Sequence, residues 1–198
     1  MGNFRGKGKR SDLPPNPRQW VAERNGLDLR KSLNVEVGAP LKPLELLDQL
    51  PGLTVLRRRD LMSLVTAGPL AEAFGRSRSR WSAATFAVNG MHVVVLNDTH
   101  AVTRQNATIM EELFHIRLKH EPERLYQCAQ TGLIRRQFSR AKEDEAYWSA
   151  AAALVPYAPL REMLESGRPR DEIAHHFEVS EDLVAFRMKV TKLWRRYQ

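Results

Sequence analysis

Apolar residues along this chain recur at two periods, and the periods alternate. Ala107, Met110, Phe114 and Leu118 return at steps of three and four in a stretch, residues 104–119, that holds no Gly or Pro. That spacing predicts an amphipathic helix with one stripe on a core, and Thr103 is placed to serve as its N-cap. Ahead of it, residues 81–97 (WSAATFAVNGMHVVVLN) form two β-rich runs around Asn89-Gly90, a strong hairpin signal. The second run, residues 91–96, predicts a buried or half-buried strand that delivers the chain into the helix. Behind it, residues 141–156 (AKEDEAYWSAAAALVP) predict a second strong helix that ends at Pro156.

The flanks read less sharply. Residues 41–50 (LKPLELLDQL) predict a compact amphipathic helix stopped by Pro51-Gly52, and residues 53–57 a strand. Residues 60–74 suit helix on either side of Gly68-Pro69, and residues 19–38 suit a short helix or two around Asn25-Gly26. Residues 170–198 have the form of two helices, DEIAHHF and EDLVAFRMKVTKLW, with Glu178-Val179-Ser180 as turn and N-cap. The phrase is similar to a helix-turn-helix, in which the second helix reads a DNA groove.

Composition sets the bounds. A chain of 198 residues with 42% hydrophobic content suits one domain, or one domain with a small appendage. Its single cysteine, Cys128, leaves no internal disulfide and suits a reducing compartment. No apolar run approaches the roughly 20 residues of a membrane span, and the first residues lack a signal-peptide core, so the expected location is the cytoplasm and no membrane partner is expected. The formal charge of +8 is concentrated at the ends: residues 1–20 carry +4, residues 183–198 carry +5, and the middle is nearly neutral at −1. Residues 1–20, with Gly2, Gly6, Gly8, Pro14, Pro15 and Pro17, predict a basic disordered tail that solubilises or touches nucleic acid weakly through phosphates. Arg76, Arg78 and Arg80 alternate with serines and suggest a solvated loop able to meet an acidic partner.

Chemistry enters on the helix of residues 104–119. Glu111 and His115 lie one turn apart on one side, while Glu112 is rotated from Glu111 by about 100°. In H-E-x-x-H two histidines bind zinc from one helix face and the intervening Glu acts as general base. Here the register reads Glu111-Glu112-Leu113-Phe114-His115, with a carboxylate at the first position. Alone, such a phrase also fits a solvated acidic face with an incidental histidine.

Hairpin, helix and second helix together, in that order, resemble the ImmA/IrrE family of metallopeptidases, of the zincin class. The resemblance spans about residues 40–190. Glu143, Ala146, Ala150, Leu154 and Pro156 stand at the family's positions in the second helix. The resemblance therefore implies Glu111, His115 and Glu143 as metal ligands, with Glu145 as fallback, and Glu112 as catalytic base. Glu111 departs from the family's first histidine, and Ser149 and Ala153 replace larger apolar residues. Among the other histidines, His120 is expected to be a poor co-ligand unless the helix ends there, as Glu121-Pro122 suggests, and to take a helix C-terminal role. His92 and His100 are expected to lie at the surface or in caps, and His175 and His176 to take no part.

The implied architecture is α+β: a zincin-like catalytic domain, residues 21–165, whose small sheet and hairpin precede the active-site helix, and a basic helical segment, residues 166–198, that either packs on the domain or reads DNA. The implied activity is metal-dependent hydrolysis of a peptide bond in a protein partner, with a helix-turn-helix repressor of a mobile element or stress regulon as the partner class, and the edge strand of the hairpin as the place for an extended substrate. Zinc is the first expectation for the cofactor. The harder oxygen ligands weaken its preference over Mn2+ or Fe2+ and make any bound water less acidic. The alternative is a catalytically degenerate peptidase fold that binds a regulator or DNA.

Overall fold

The computed structural model describes residues 13–50, 52–65, 67–68, 74, 81–88, 91–120, 125–127, 134–136 and 139–195. Seven α-helices and two small sheets are formed by these residues: α1 Trp20–Ser32, β1 Leu53–Arg57, α2 Arg58–Leu64, β2 Ala83–Val88, β3 Met91–Leu96, α3 Val102–Arg117, β4 Leu125–Gln127, β5 Ile134–Arg136, α4 Arg140–Leu154, α5 Tyr157–Glu165, α6 Arg170–Phe177 and α7 Glu181–Val190. The fold is α+β, as the alternation of periods implies. Residues 1–12, Pro69, Arg76, Arg78, Arg80, Asn89-Gly90, Cys128 and Arg196 lie outside the described residues.

The first sheet has the order β1-β3-β2. β3 is central because both neighbours pair with it: β1 in parallel, Val55 opposite Val94, and β2 in antiparallel, Thr85 opposite Val94. Its burial deepens along the strand until Val94, Val95 and Leu96 are inside, which fits the continuous Val-Val-Val-Leu run. The pairing of Val88 with Met91 leaves two residues between the strands, so the hairpin has the register its sequence predicts. β4 and β5 form a separate two-stranded ribbon between α3 and α4 that the sequence reading does not contain.

The turn from β3 into α3 is built by side chains other than the one expected. Asn97 is buried, donates to the Trp81 carbonyl at 3.1 Å and accepts from the Thr99 hydroxyl at 2.8 Å. Gln105 reaches back to the His100 carbonyl at 2.7 Å. The helix starts at Val102 after Ala101, without a side-chain cap, so Thr103 lies inside the first turn and is not the N-cap. The loop is already fixed by the two amides, and no hydroxyl cap is required.

One other expectation is corrected. Residues 41–50 form no α-helix; they make two 3-10 turns, Pro43–Glu45 and Leu47–Gln49. Pro43 biases Lys42 away from helical backbone, and the Leu44 N–H bonds to the Asn106 side chain at 3.2 Å instead of to a carbonyl one turn back. Residues 19–38, which suit a short helix or two, hold one α-helix, α1 Trp20–Ser32, running straight through Asn25-Gly26. Of residues 60–74, α2 accounts for the first part, and the described remainder after Gly68 is Phe74 alone.

Gly26 is retained in mid-helix because α1 lies directly against α4 there. A Cβ on Gly26 would meet the Ala153 nitrogen at 2.6 Å and the Ala152 carbonyl carbon at 2.8 Å. Asn25 donates to the Ser149 hydroxyl at 3.1 Å beside this contact. Ser149 and Ala153, the small residues that depart from the family pattern, are thus what the approaching helix requires. α4 is buried along Ser149–Leu154 on nearly every side, which is why it shows little amphipathic contrast.

Buried charges tie the ends of the chain to this core. Arg30 is wholly inside, donating to the Ala153 and Glu36 carbonyls at 2.6 Å each and to the Ala39 carbonyl; burial pulls its guanidinium down to about 10, so it stays charged at neutral pH. Arg187 of α7 pairs with Glu23 of α1 at 2.5 Å and donates to the Val155 carbonyl at 2.8 Å, while Glu23 also accepts the Tyr157 N–H at 2.6 Å. Arg187 therefore leaves the basic patch to which its sequence position assigns it. Residues 13–19, expected as tail, pack against the domain: Asn16 donates to the Val190 carbonyl at 3.1 Å, Trp20 donates to the Pro14 carbonyl at 2.8 Å, and Gln19 is buried.

Two stability outcomes follow from these contacts. Gly26→Ala gains about 1 kcal/mol of helix propensity but drives a methyl into backbone, so the overpacking term of about 1–3 kcal/mol wins and the urea midpoint falls. Arg187→Met strands the Glu23 charge and lowers stability by about 3–5 kcal/mol, most of which returns in Glu23→Gln/Arg187→Met, measured by the same unfolding.

Candidate metal centre

Three potential ligands converge from two helices. α3 presents Glu111 and His115 one turn apart, and α4, lying alongside, presents Glu143 from its first turn. One donor atom from each of the three lies within 4.8 Å of the others, and His115 Nε2 is 3.5 Å from Glu143 Oε1. The cluster is partly buried. Ala107, Met110, Phe114 and Leu118 face the core as their period predicts, and this packing aims the Glu111 and His115 side of α3 at α4.

Electrostatics fit a cation. Glu111 is half-buried and faces two further carboxylates; burial first, then Glu112 and Glu143, push its carboxyl up from 4.5 to about 7. A buried carboxyl among like charges is relieved by a proton or by a cation, and two oxygens with one imidazole nitrogen form a plausible divalent donor set. Glu112 stands beside this group and outside it. Its Oε2 accepts a hydrogen bond from the Thr85 hydroxyl of β2 at 2.6 Å, so the sheet fixes its carboxylate.

Glu145 is turned away from the three. Its Oε2 lies 3.3 Å from His120 Nε2 and its side chain is half exposed. His120 follows the helix end, the condition under which it could approach the cluster, and it lies against it: its Nδ1 is 3.0 Å from His115 Nδ1 and the rings meet edge to face at 5.0 Å. The reason is the way α3 ends. Lys119 adopts the left-handed conformation at φ 54°, the Lys119 N–H bonds to the Ile116 carbonyl at 3.0 Å, and the His120 N–H bonds to the His115 carbonyl at 2.9 Å. This is a Schellman closure, which brings the residue after the left-handed one back onto the residue five before it. Continued helix geometry would have carried His120 round to another side. Burial pushes the His120 imidazole below 6.5; Glu145 opposes that shift, and His115 and Lys142 add to it.

Tyr147, one turn after Glu143, is a further neighbour that sequence reasoning missed. Burial, then the Glu111 and Asp182 carboxylates, push its phenol upward, and its ring packs at 4.8 Å against Phe186 of α7. The C-terminal helices therefore adjoin the site. A tyrosine one turn from a candidate ligand was the available signal, as was the five-residue step from His115 to His120 ahead of Glu121-Pro122. Elsewhere, His92 lies in β3, His100 lies beside Asn97 at 3.5 Å, and His176 contacts the Gly38 carbonyl at 2.7 Å.

The family model of the IrrE N-terminal-like domain, Peptidase M78, matches residues 63–189. No curated protein and no solved structure matches the chain. The matched region contains β2, β3, Glu111, Glu112, His115 and Glu143; α1 and β1 precede it.

The raised Glu111 carboxyl has a signed consequence for the metal-free protein. The folded chain binds this proton more tightly than the unfolded chain, so stability is highest on this account below about pH 4.5 and declines as pH rises towards and through about 7. Glu111→Gln removes that decline, on the order of 2 kcal/mol over the interval, in urea unfolding carried out with chelator.

Proposed function

Because the chain belongs to the IrrE N-terminal-like peptidase family, we propose that it is a metal-dependent endopeptidase that hydrolyses a peptide bond in a protein partner. The observation that carries this reading is the convergence of Glu111, His115 and Glu143 from α3 and α4. These three residues would hold the divalent cation, zinc first and Mn2+ or Fe2+ as alternatives. When bound, the cation supplies Lewis-acid polarisation of the scissile carbonyl and lowers the pKa of water at the site.

Glu112 takes the proton from the attacking water and passes it to the leaving nitrogen. Its fixed orientation, through the Thr85 hydroxyl, supports this role, since a general base acts only within hydrogen-bond reach of the proton it removes. Among the described residues β2 pairs with β3 alone. Its outer edge can therefore take an extended peptide by strand addition next to Glu112. The partner class implied by family resemblance is a helix-turn-helix repressor, and the compartment is the cytoplasm; no described helix is long and apolar enough to cross a membrane.

One observation favours a second reading, a degenerate peptidase fold that acts by binding. Glu111 stands where the family has a histidine, and near neutral pH its carboxyl retains a proton that competes with the cation. DNA reading through α6 and α7 is the weaker form of this alternative. α7 opens with exposed Glu181 and Asp182, which repel phosphates where a recognition helix meets the groove, and Arg187 is buried. Lys189 and Lys192 remain exposed.

Elemental analysis of untagged protein, wild type beside His115→Ala and Glu143→Ala, tests the choice. The endopeptidase reading expects near-stoichiometric metal in the wild type and its loss in both variants, whereas Glu112→Gln keeps the metal and lowers cleavage by about 100-fold or more. Wild-type protein that takes up no zinc or manganese on incubation supports the binding-protein reading instead.

A further inference from the structure

The Nδ1 atoms of His115 and His120 face each other at 3.0 Å. Two ring nitrogens at that distance share one hydrogen, so one ring donates and the other accepts. The far side of His120 decides which. His120 Nε2 lies 3.3 Å from Glu145 Oε2, and an ionised carboxylate only accepts. The His120 hydrogen therefore belongs on Nε2, and its Nδ1 carries the lone pair. His115 must then donate from Nδ1, which leaves its own lone pair on Nε2, the atom 3.5 Å from Glu143 Oε1. Reversing the chain of donors would set the His120 lone pair against the Glu145 carboxylate at 3.3 Å. The arrangement chosen turns the His115 lone pair towards Glu143 at 3.5 Å, where a cation held by the three residues would separate lone pair from carboxylate.

The main chain holds this arrangement independently of Glu145. The Schellman closure at Lys119 brings the His120 backbone onto the His115 carbonyl at 2.9 Å. The His120 side chain is 7% exposed and that of Glu145 49%, so the relay runs from a solvent-facing carboxylate through a buried imidazole to the cluster. With Glu111 in the place of a histidine, His115 is the one nitrogen donor among the three, and its orientation weighs correspondingly more.

Resting on the reading of Glu111, His115 and Glu143 as a cation site, we propose that His120, anchored by Glu145, is the positioning residue that locks His115 into the tautomer presenting Nε2 to the cation. His120 is not itself a ligand. Outer partners of this kind typically change metal affinity by about 10- to 100-fold.

Titration of the full-length chain with Co2+, followed by visible absorption, tests the proposal. The set is wild type, His120→Phe, His120→Asn, Glu145→Ala and His115→Ala, with far-UV circular dichroism to verify the fold. His120→Phe should bind Co2+ about 10- to 100-fold more weakly with unchanged band positions, because the ligand set is intact while the acceptor is gone. His120→Asn, whose side-chain oxygen stands near the Nδ1 position and accepts, should recover most of that loss, and Glu145→Ala should give a smaller weakening. Wild-type affinity in His120→Phe overturns the proposal. So do shifted bands, which would make His120 a ligand, and equal weakening in the Phe and Asn variants, which would make the role one of packing. A wild type that binds no Co2+, or a His115→Ala variant that binds it as well as wild type, removes the cation site itself and the proposal with it.

Discussion

At Gly26, α1 lies against the α4 backbone so closely that a single methyl would sit 2.6 Å from the Ala153 nitrogen. That contact sets the depth of α4 in the molecule. With α1 pressed on one side and α3 on another, α4 is clad over most of its circumference, and only small side chains fit: Ala146, Ser149 and Ala150 through Ala153. A helix held this tightly cannot slide or roll without opening voids, so the position of Glu143 relative to Glu111 and His115 is inherited from core packing. The acidic cluster gains its geometry from alanines a turn or more away.

Charge buried in the same region ties distant parts of the sequence together. Arg30 gathers carbonyls from the end of α4 and from the loop after α1. Glu23 and Arg187 join the first helix to the last; Arg187 also donates to the Val155 carbonyl and Glu23 accepts the Tyr157 N–H. α1 lies before the region matched by the family model, yet it supplies one wall of α4 and two of these buried charges. The C-terminal helices are held by Arg187 and by the Lys42–Glu178 pair at 2.7 Å, and Phe186 reaches the site through Tyr147.

The site shows how a burial gradient divides similar groups into different roles. Glu111 is half-buried among like charges and is pushed up to about 7; Glu112 accepts from a strand hydroxyl; Glu145 is at the solvent edge against an imidazole. These three glutamates differ little in sequence context. Their environments differ because α3, α4, β2 and the closing turn of α3 each contribute one wall.

Local periodicity determined much of this protein. The stripe of Ala107, Met110, Phe114 and Leu118, the two β runs around Asn89-Gly90 and the Ser180 N-cap each record an interaction between residues near in sequence, and each was legible for that reason. The pairing of Glu111 with His115 is a property of helical pitch and was legible too; its meeting with Glu143 was legible only through resemblance to a family, since no local rule connects residues separated by a loop and a ribbon. Tertiary structure alone decided the rest. Residues 41–50 gave up their helical pattern because Pro43 and Asn106 offered a different set of hydrogen bonds. Arg187 became an internal counter-ion because Glu23 was waiting inside. His120 returned to His115 because the chain reversed at Lys119, and hydrophobic pattern carries no signal for the sign of one φ angle.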